Sequence, residues 1–218
     1  MSPDAFIQLF ERGGLLMWPL AFFGIISWLL FVERSLNLTA EKVLPPDFAS
    51  KILALISERK FDEARAICEH DKHLLARTIH AALKKKGADL QIMKELLQGK
   101  GIAELERLKK HISILSTIGY VSPLAGLLGT VLGMIKVFGQ LTSNPDSLAN
   151  PQVLSQGINE ALITTAAGLV VAIPAFIFSK LLISKVNGFA SEMEEILSEF
   201  LARYFTAPDK QDAQDKES

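Results

Sequence analysis

Three stretches of the chain carry neither a charged residue nor a histidine: Gly13 to Val32, Ile112 to Ile135 and Ala161 to Ser179, of 20, 24 and 19 residues. Each meets the roughly 20 residues that a helix needs to cross a hydrocarbon core about 30 Å thick. The pattern therefore predicts three transmembrane helices, at 13–32, 112–135 and 161–179. Asp4 and Glu11 precede the first run with a single cation, Arg12, and no small-x-small cleavage site follows it. It is expected to remain as an anchor and not to be removed as a signal peptide.

The polar remainder has helical period as well. In the 33–111 segment, Ala49, Ile52, Leu53 and Ile56 form one amphipathic face, and Phe61, Ala64, Ile67 and Cys68 a second. A third comprises Leu74, Leu75, Thr78, Ile79, Ala82 and Leu83, and it ends in Lys84-Lys85-Lys86-Gly87, where cations suit a helix C-terminus and glycine lets the chain leave. Ile102, Leu105, Leu108, Ile112 and Leu115 then step by three and four into the second apolar run, so that helix is expected to start well before the membrane. Leu182, Val186, Phe189, Met193, Ile196, Phe200 and Tyr204 carry the third helix onward through 180–206 in the same way. Residues 1–12 read as a short amphipathic segment, 136–160 as a connecting loop and 207–218 as a polar, disordered tail. The expected fold is an all-α membrane protein. Its second and third helices are long, extend into the cytoplasm and share an apolar seam, which suggests an oligomeric helical barrel, or one closed within a single chain, with a monomeric hairpin bundle as the plain alternative.

Composition sharpens this picture in two ways. The chain is 49% hydrophobic yet 22% charged, and these coexist with a mean hydropathy of +0.27 because the two classes are segregated. The net charge of −1 gives no footprint for nucleic acid, but the cations are uneven: one before residue 13, sixteen in 33–111, one in 136–160 and five after 179. The basic residues flanking the long segment, Arg34, Lys42, Arg107, Lys109 and Lys110, orient it to the cytoplasm. The N-terminus and the 136–160 loop then face outward and the C-terminus the cytoplasm. One cysteine excludes an internal disulfide, and the four histidines lack ligand spacing. With no nucleophile, metal constellation or phosphate loop, neither an enzyme nor a cofactor is expected.

The candidate chemistry lies in the apolar runs. At 100° per residue, Ser122, Gly126, Gly129, Thr130 and Gly133 share an arc of roughly 80°, and Ala161, Thr164, Thr165, Gly168, Ala172 and Ala175 one of about 100°. Such faces let helices approach closely, and most do nothing else. Thr130 lies about 9 Å from Lys136 and Thr165 about 7 Å from Glu160 along their helices, so two hydroxyls reach similar depth. Glu160 is expected at the mouth above them. Pro174 bends the third helix or is merely tolerated there, Lys136 snorkels at a helix end, and Cys68 is a core residue. Ion paths usually need an ionisable group inside the membrane, and these runs hold no Asp, Glu, Lys, Arg or His. Either the chain conducts no ion, or a second protein brings the carboxylate.

The stretches Ser122-Pro123-Leu124-Ala125-Gly126-Leu127-Leu128-Gly129-Thr130-Val131-Leu132-Gly133-Met134-Ile135 and Glu160-Ala161-Leu162-Ile163-Thr164-Thr165-Ala166-Ala167-Gly168-Leu169-Val170-Val171-Ala172-Ile173-Pro174-Ala175 resemble the ExbB/TolQ/MotA proton-channel family. The resemblance implies a homopentameric inner-membrane motor subunit translocating H+. Its second and third helices would surround the membrane helices of an ExbD- or TolR-like single-pass partner, which supplies an aspartate. Thr130 and Thr165 match the family's pore threonines and Glu160 its glutamate at the start of the third helix. Thr164 stands where the family often has a small apolar residue. The wording of Phe31-Val32-Glu33-Arg34 and Phe61-Asp62-Glu63-Ala64-Arg65 favours an ExbB-like subunit serving a TonB-like transducer over a TolQ-like one serving envelope integrity and division. Three apolar runs, not four, disfavour a MotA-like stator. A non-conducting oligomeric scaffold is the alternative of another class.

Overall fold

The computed structural model describes residues 10, 13–85, 87–143 and 151–206, and every regular element among them is helical. In chain order these are α1 Met17–Asn37, α2 Ala40–Val43, α3 Pro46–Ser57, α4 Phe61–His70, α5 Leu74–Leu83, α6 Leu90–Ser143 and α7 Pro151–Thr206. The amphipathic segment expected in 1–12, the tail expected at 207–218 and the centre of the expected loop, 144–150, lie outside the described residues. Two compact units result, one from Met1–Arg34 with Ile112–Leu181, the other from Ser35–His111 with Leu182–Ser218.

Among the described residues, three helical stretches are long and apolar enough to cross a membrane: Met17–Asn37, Leu90–Gln140 and Leu154–Thr206. In the first, Pro19 falls in the first turn, where a missing N–H costs no helical bond. α6 and α7 run unbroken through Pro123 and Pro174. Both also enter the expected 136–160 loop, to Ser143 from one side and from Pro151 on the other.

In the first unit, α6 and α7 lie antiparallel and meet along a stripe of small residues. On α6 it comprises Gly119, Ser122, Gly126, Gly129 and Gly133; on α7 it comprises Gly157, Ala161, Thr164, Gly168, Ala172, Ala175 and Ser179, all buried. In lipid there is no hydrophobic drive to pair helices, so close backbone approach has to supply the contact. A Cβ on Gly126 would stand 3.1 Å from the Thr165 Cα, and one on Gly119 3.3 Å from the Phe176 Cα. Farther along, the Ser116 and Ser179 hydroxyls bond each other at 2.7 Å. α1 packs through aromatic rings, with Phe31 stacked on Phe178 at 3.9 Å and Trp28 edge-on to it at 5.1 Å.

The second unit buries large side chains instead. α3 begins at Pro46, whose fixed φ suits the first helical position, and buries Phe48, Ala49, Ile52, Leu53 and Ile56. α5 buries Leu74, Leu75, Thr78, Ile79, Ala82 and Leu83, the face its periodicity predicts. Gly87, at φ +79°, turns the chain from α5 toward α6. Cys68 sits in this core, where burial first and the charge of Asp71 second push its thiol up to about 12. The stripe on α7 continues as Leu182, Val186, Phe189, Met193, Leu197 and Phe200, with Leu197 buried and Ile196 only half-buried. On α6, Gly101 and not Ile102 faces inward. Met193 Cε lies 2.7 Å from where a Gly101 Cβ would be, and Ile102 is 62% exposed.

Candidate functional site

The register of the α6–α7 seam follows from its closest approaches. A Cβ on Gly133 would stand 3.2 Å from the Gly157 carbonyl oxygen and 3.3 Å from the Ala161 Cβ. One on Gly129 would stand 2.5 Å from Thr164 Cγ2, and one on Gly168 2.6 Å from the Ser122 carbonyl oxygen. Gly129 thus faces Thr164, and Thr130 and Thr165 lie within about 3 Å of each other along the helix axes. Ser122, Gly126, Gly129, Gly133, Ala161, Gly168 and Ala172 are all buried in this seam. Pro174 is half-buried. The Ser122 hydroxyl, fully buried, meets no hydrogen-bond partner among the described residues.

Antiparallel packing then sorts the four candidate polar residues. In a right-handed helix each residue is rotated 100° from the last. On two antiparallel helices, the residues that follow facing positions therefore turn to the same side of the pair. Thr130 follows Gly129 and Thr165 follows Thr164, so both flank the seam on one side, each half-buried. Thr165 Oγ1 donates across the seam to the Gly126 carbonyl at 3.2 Å, and Thr130 Oγ1 to the Leu127 carbonyl of its own helix at 2.7 Å.

Glu160 lies on the other flank, roughly 70° from the seam centre as Thr165 is in the opposite sense. The α1 side of the unit is here. Lys136 Nζ donates to Glu160 Oε2 at 3.0 Å, so the lysine expected to snorkel is instead the carboxylate's ion-pair partner. A Cβ on Gly14, which has φ +70°, would collide with Glu160 Oε1. Thr164 is placed apart from the other threonine pair. It is 1% exposed, and its hydroxyl is shared between the Glu160 carbonyl at 2.7 Å and the Gly13 carbonyl at 3.0 Å. The structure thus separates the expected pore set into a threonine flank and a Glu160 flank. The sequence reading missed Gly13 and Gly14. A Gly-Gly pair directly before an apolar run is a turn signal that could have found them.

Comparison with known proteins joins this geometry to a family. The chain matches the MotA/TolQ/ExbB proton channel family over residues 69–195. It belongs to that family. It is 33% identical over 177 residues to the biopolymer transport protein ExbB-like 1 of Synechocystis, covering 80% of this chain and 69% of the relative. It is 29% identical over 195 residues to the biopolymer transport protein exbB1 of Vibrio cholerae, covering 88% and 85%. It is 29% identical over 216 residues to the Tol-Pal system protein TolQ of Haemophilus influenzae, covering 89% and 91%. Relatives of both names span most of the chain, so likeness alone does not divide an ExbB-like from a TolQ-like role. Members of the MotA/TolQ/ExbB family are energy-transducing channel subunits, not enzymes. With three helices able to span a bilayer, this member is a membrane protein.

Proposed function

We propose that the chain is the proton-channel subunit of an inner-membrane motor that couples proton motive force to a TonB-like transducer, in the ExbB-like manner. It acts as a homopentamer with its N-terminus periplasmic and its C-terminus cytoplasmic. The observation that carries the reading is a pair of half-buried hydroxyls, Thr130 and Thr165, at one depth on one flank of a seam whose apolar runs contain no Asp, Glu, Lys, Arg or His. Hydroxyls donate and accept hydrogen bonds but hold no charge at neutral pH. The proton carrier is accordingly an aspartate on the membrane helix of an ExbD- or TolR-like partner, facing the threonine flank in the central pore.

A charge that crosses the full potential gains about 2.3 kcal/mol per 100 mV, whereas an unpaired carboxylate inside the membrane is costly. The partner aspartate passes along the threonine flank when protonated. After releasing its proton inward, it is held by Thr130 or Thr165, so that each protonation step becomes relative rotation of pore and partner. Replacing Thr165 with Val keeps the shape and removes the hydroxyl. In the complex reconstituted with its partner, proton flux should fall about tenfold or more, the loss expected for one hydrogen bond to a charged group, while assembly stays intact. Wild-type flux in Thr165→Val would remove the threonine flank from the mechanism. A TolQ-like role uses the same channel with a different transducer, and the identity of the co-purifying single-pass protein separates the two.

A further inference from the structure

At the end of the hairpin where α6 and α7 are joined, the Glu160 carboxylate has an ion pair on one oxygen and a glycine turn against the other, and Thr164 bonds the same turn. Lys136 holds Glu160 Oε2 from α6. The Gly14 backbone lies against Oε1, leaving no room for a side chain there. Thr164 engages the Glu160 carbonyl and, with the same hydroxyl, the carbonyl of Gly13. The Gly14 carbonyl in turn accepts from the Met17 amide that opens α1, at 3.2 Å. Glu160 is therefore wedged between α6 and the turn leading into α1, on the flank away from Thr130 and Thr165.

We infer that Glu160 is a positioning residue: with Lys136 and Thr164 it latches the Gly13–Gly14 turn to the joined end of α6 and α7, so that α1 braces the back of the pore wall. The bracing role rests on the channel reading above, but the latch does not. A wall that turns against a partner has to resist the torque, and farther along the helix α1 meets α7 through the rings of Trp28, Phe31 and Phe178. The latch adds directional bonds where the helix pair is joined. It also accounts for Thr164, whose methyl fills the space over Gly129 while its hydroxyl ties two backbones together.

The test reads the latch and the channel separately in the purified complex with its partner. Hydrogen exchange over Leu15–Leu20 should rise about tenfold in Glu160→Gln, Lys136→Met and Thr164→Val, the equivalent of losing one hydrogen bond of ordinary net strength. Thr164→Ser keeps the hydroxyl but loses the methyl and should stay within about twofold of wild type by the same measure. The charge-swapped pair Lys136→Glu with Glu160→Lys should recover most of the protection. Thr165→Val should leave exchange at α1 unchanged even as it stops proton flux. Wild-type protection of Leu15–Leu20 in Glu160→Gln and Lys136→Met would overturn the latch, whatever happens to flux. Equal loosening by Thr164→Ser and Thr164→Val would reduce Thr164 to packing and overturn its part. Unchanged flux in Thr165→Val with a loosened α1 in Glu160→Gln would instead remove the threonine flank from the mechanism and leave the latch standing.

Discussion

Single residues in this protein are decided by their angle around a helix more than by their type. Thr164 and Thr165 are adjacent and chemically identical, yet one is sealed in the seam and the other stands on its flank. The sequence places both in one arc of small residues, because an arc of about 100° cannot resolve seam from flank. Glycines divide in the same way. A Cβ at Gly129 would press on Thr164 at 2.5 Å, whereas one at Gly99 meets nothing within 4 Å. Gly129→Ala should therefore destabilise the complex by about 1–3 kcal/mol, the cost of overpacking. Gly99→Ala should stabilise it by about 0.5–1 kcal/mol through helix propensity. Thermal denaturation of both variants in one detergent checks the pair, and equal shifts in the same direction would contradict the seam geometry.

Among elements, the two long helices change character along their length. On α7 the buried stripe is built of Gly, Ala, Ser and Thr up to Ser179, then of Leu, Val, Phe and Met from Leu182. The apolar periodicity of both parts was legible in the sequence, and so were the three faces of the second unit. What the periodicity missed was the exchange of Ile102 for Gly101 and of Ile196 for Leu197, shifts of one residue that close packing against Met193 and the local helix register impose. The second unit also contains an ion pair cluster that no pattern announced. Glu104 on α6, with its side chain 9% exposed, meets Arg77 of α5 at 2.7 Å and Arg107 at 3.0 Å. Arg107 is 69% exposed and shares the carboxylate with Arg77. Glu104→Ala should cost about 1–2 kcal/mol in the thermal unfolding of the helical signal, as a charge-assisted bond partly discounted for solvent. Arg107→Ala should cost less than about 0.5 kcal/mol, the usual yield of an exposed pair. Equal losses would show that the cluster depends on Arg107 rather than on the link to α5.

For the whole molecule, the proposed function makes this member of a channel family, with its charge-free apolar runs, one half of a machine. Reconstituted alone, the oligomer should pass protons no faster than empty vesicles; with the single-pass partner, flux should appear and should be lost when the partner's membrane aspartate is replaced by Asn. Flux from the chain alone would mean that its own hydroxyls suffice. Much of this was legible in the sequence: three helices able to span a membrane, two of them extended, an all-α fold, and three apolar runs without Asp, Glu, Lys, Arg or His. Those properties depend on composition and on a period of 3.6, which survive without knowledge of any neighbour. Tertiary structure alone decided which flank each polar residue occupies, because the side on which Glu160 and Thr165 lie is set by an antiparallel partner and by α1. Neither α1's turn at Gly13 and Gly14 nor the lysine that meets Glu160 is close to it in sequence, and their contact exists only once the helices are packed.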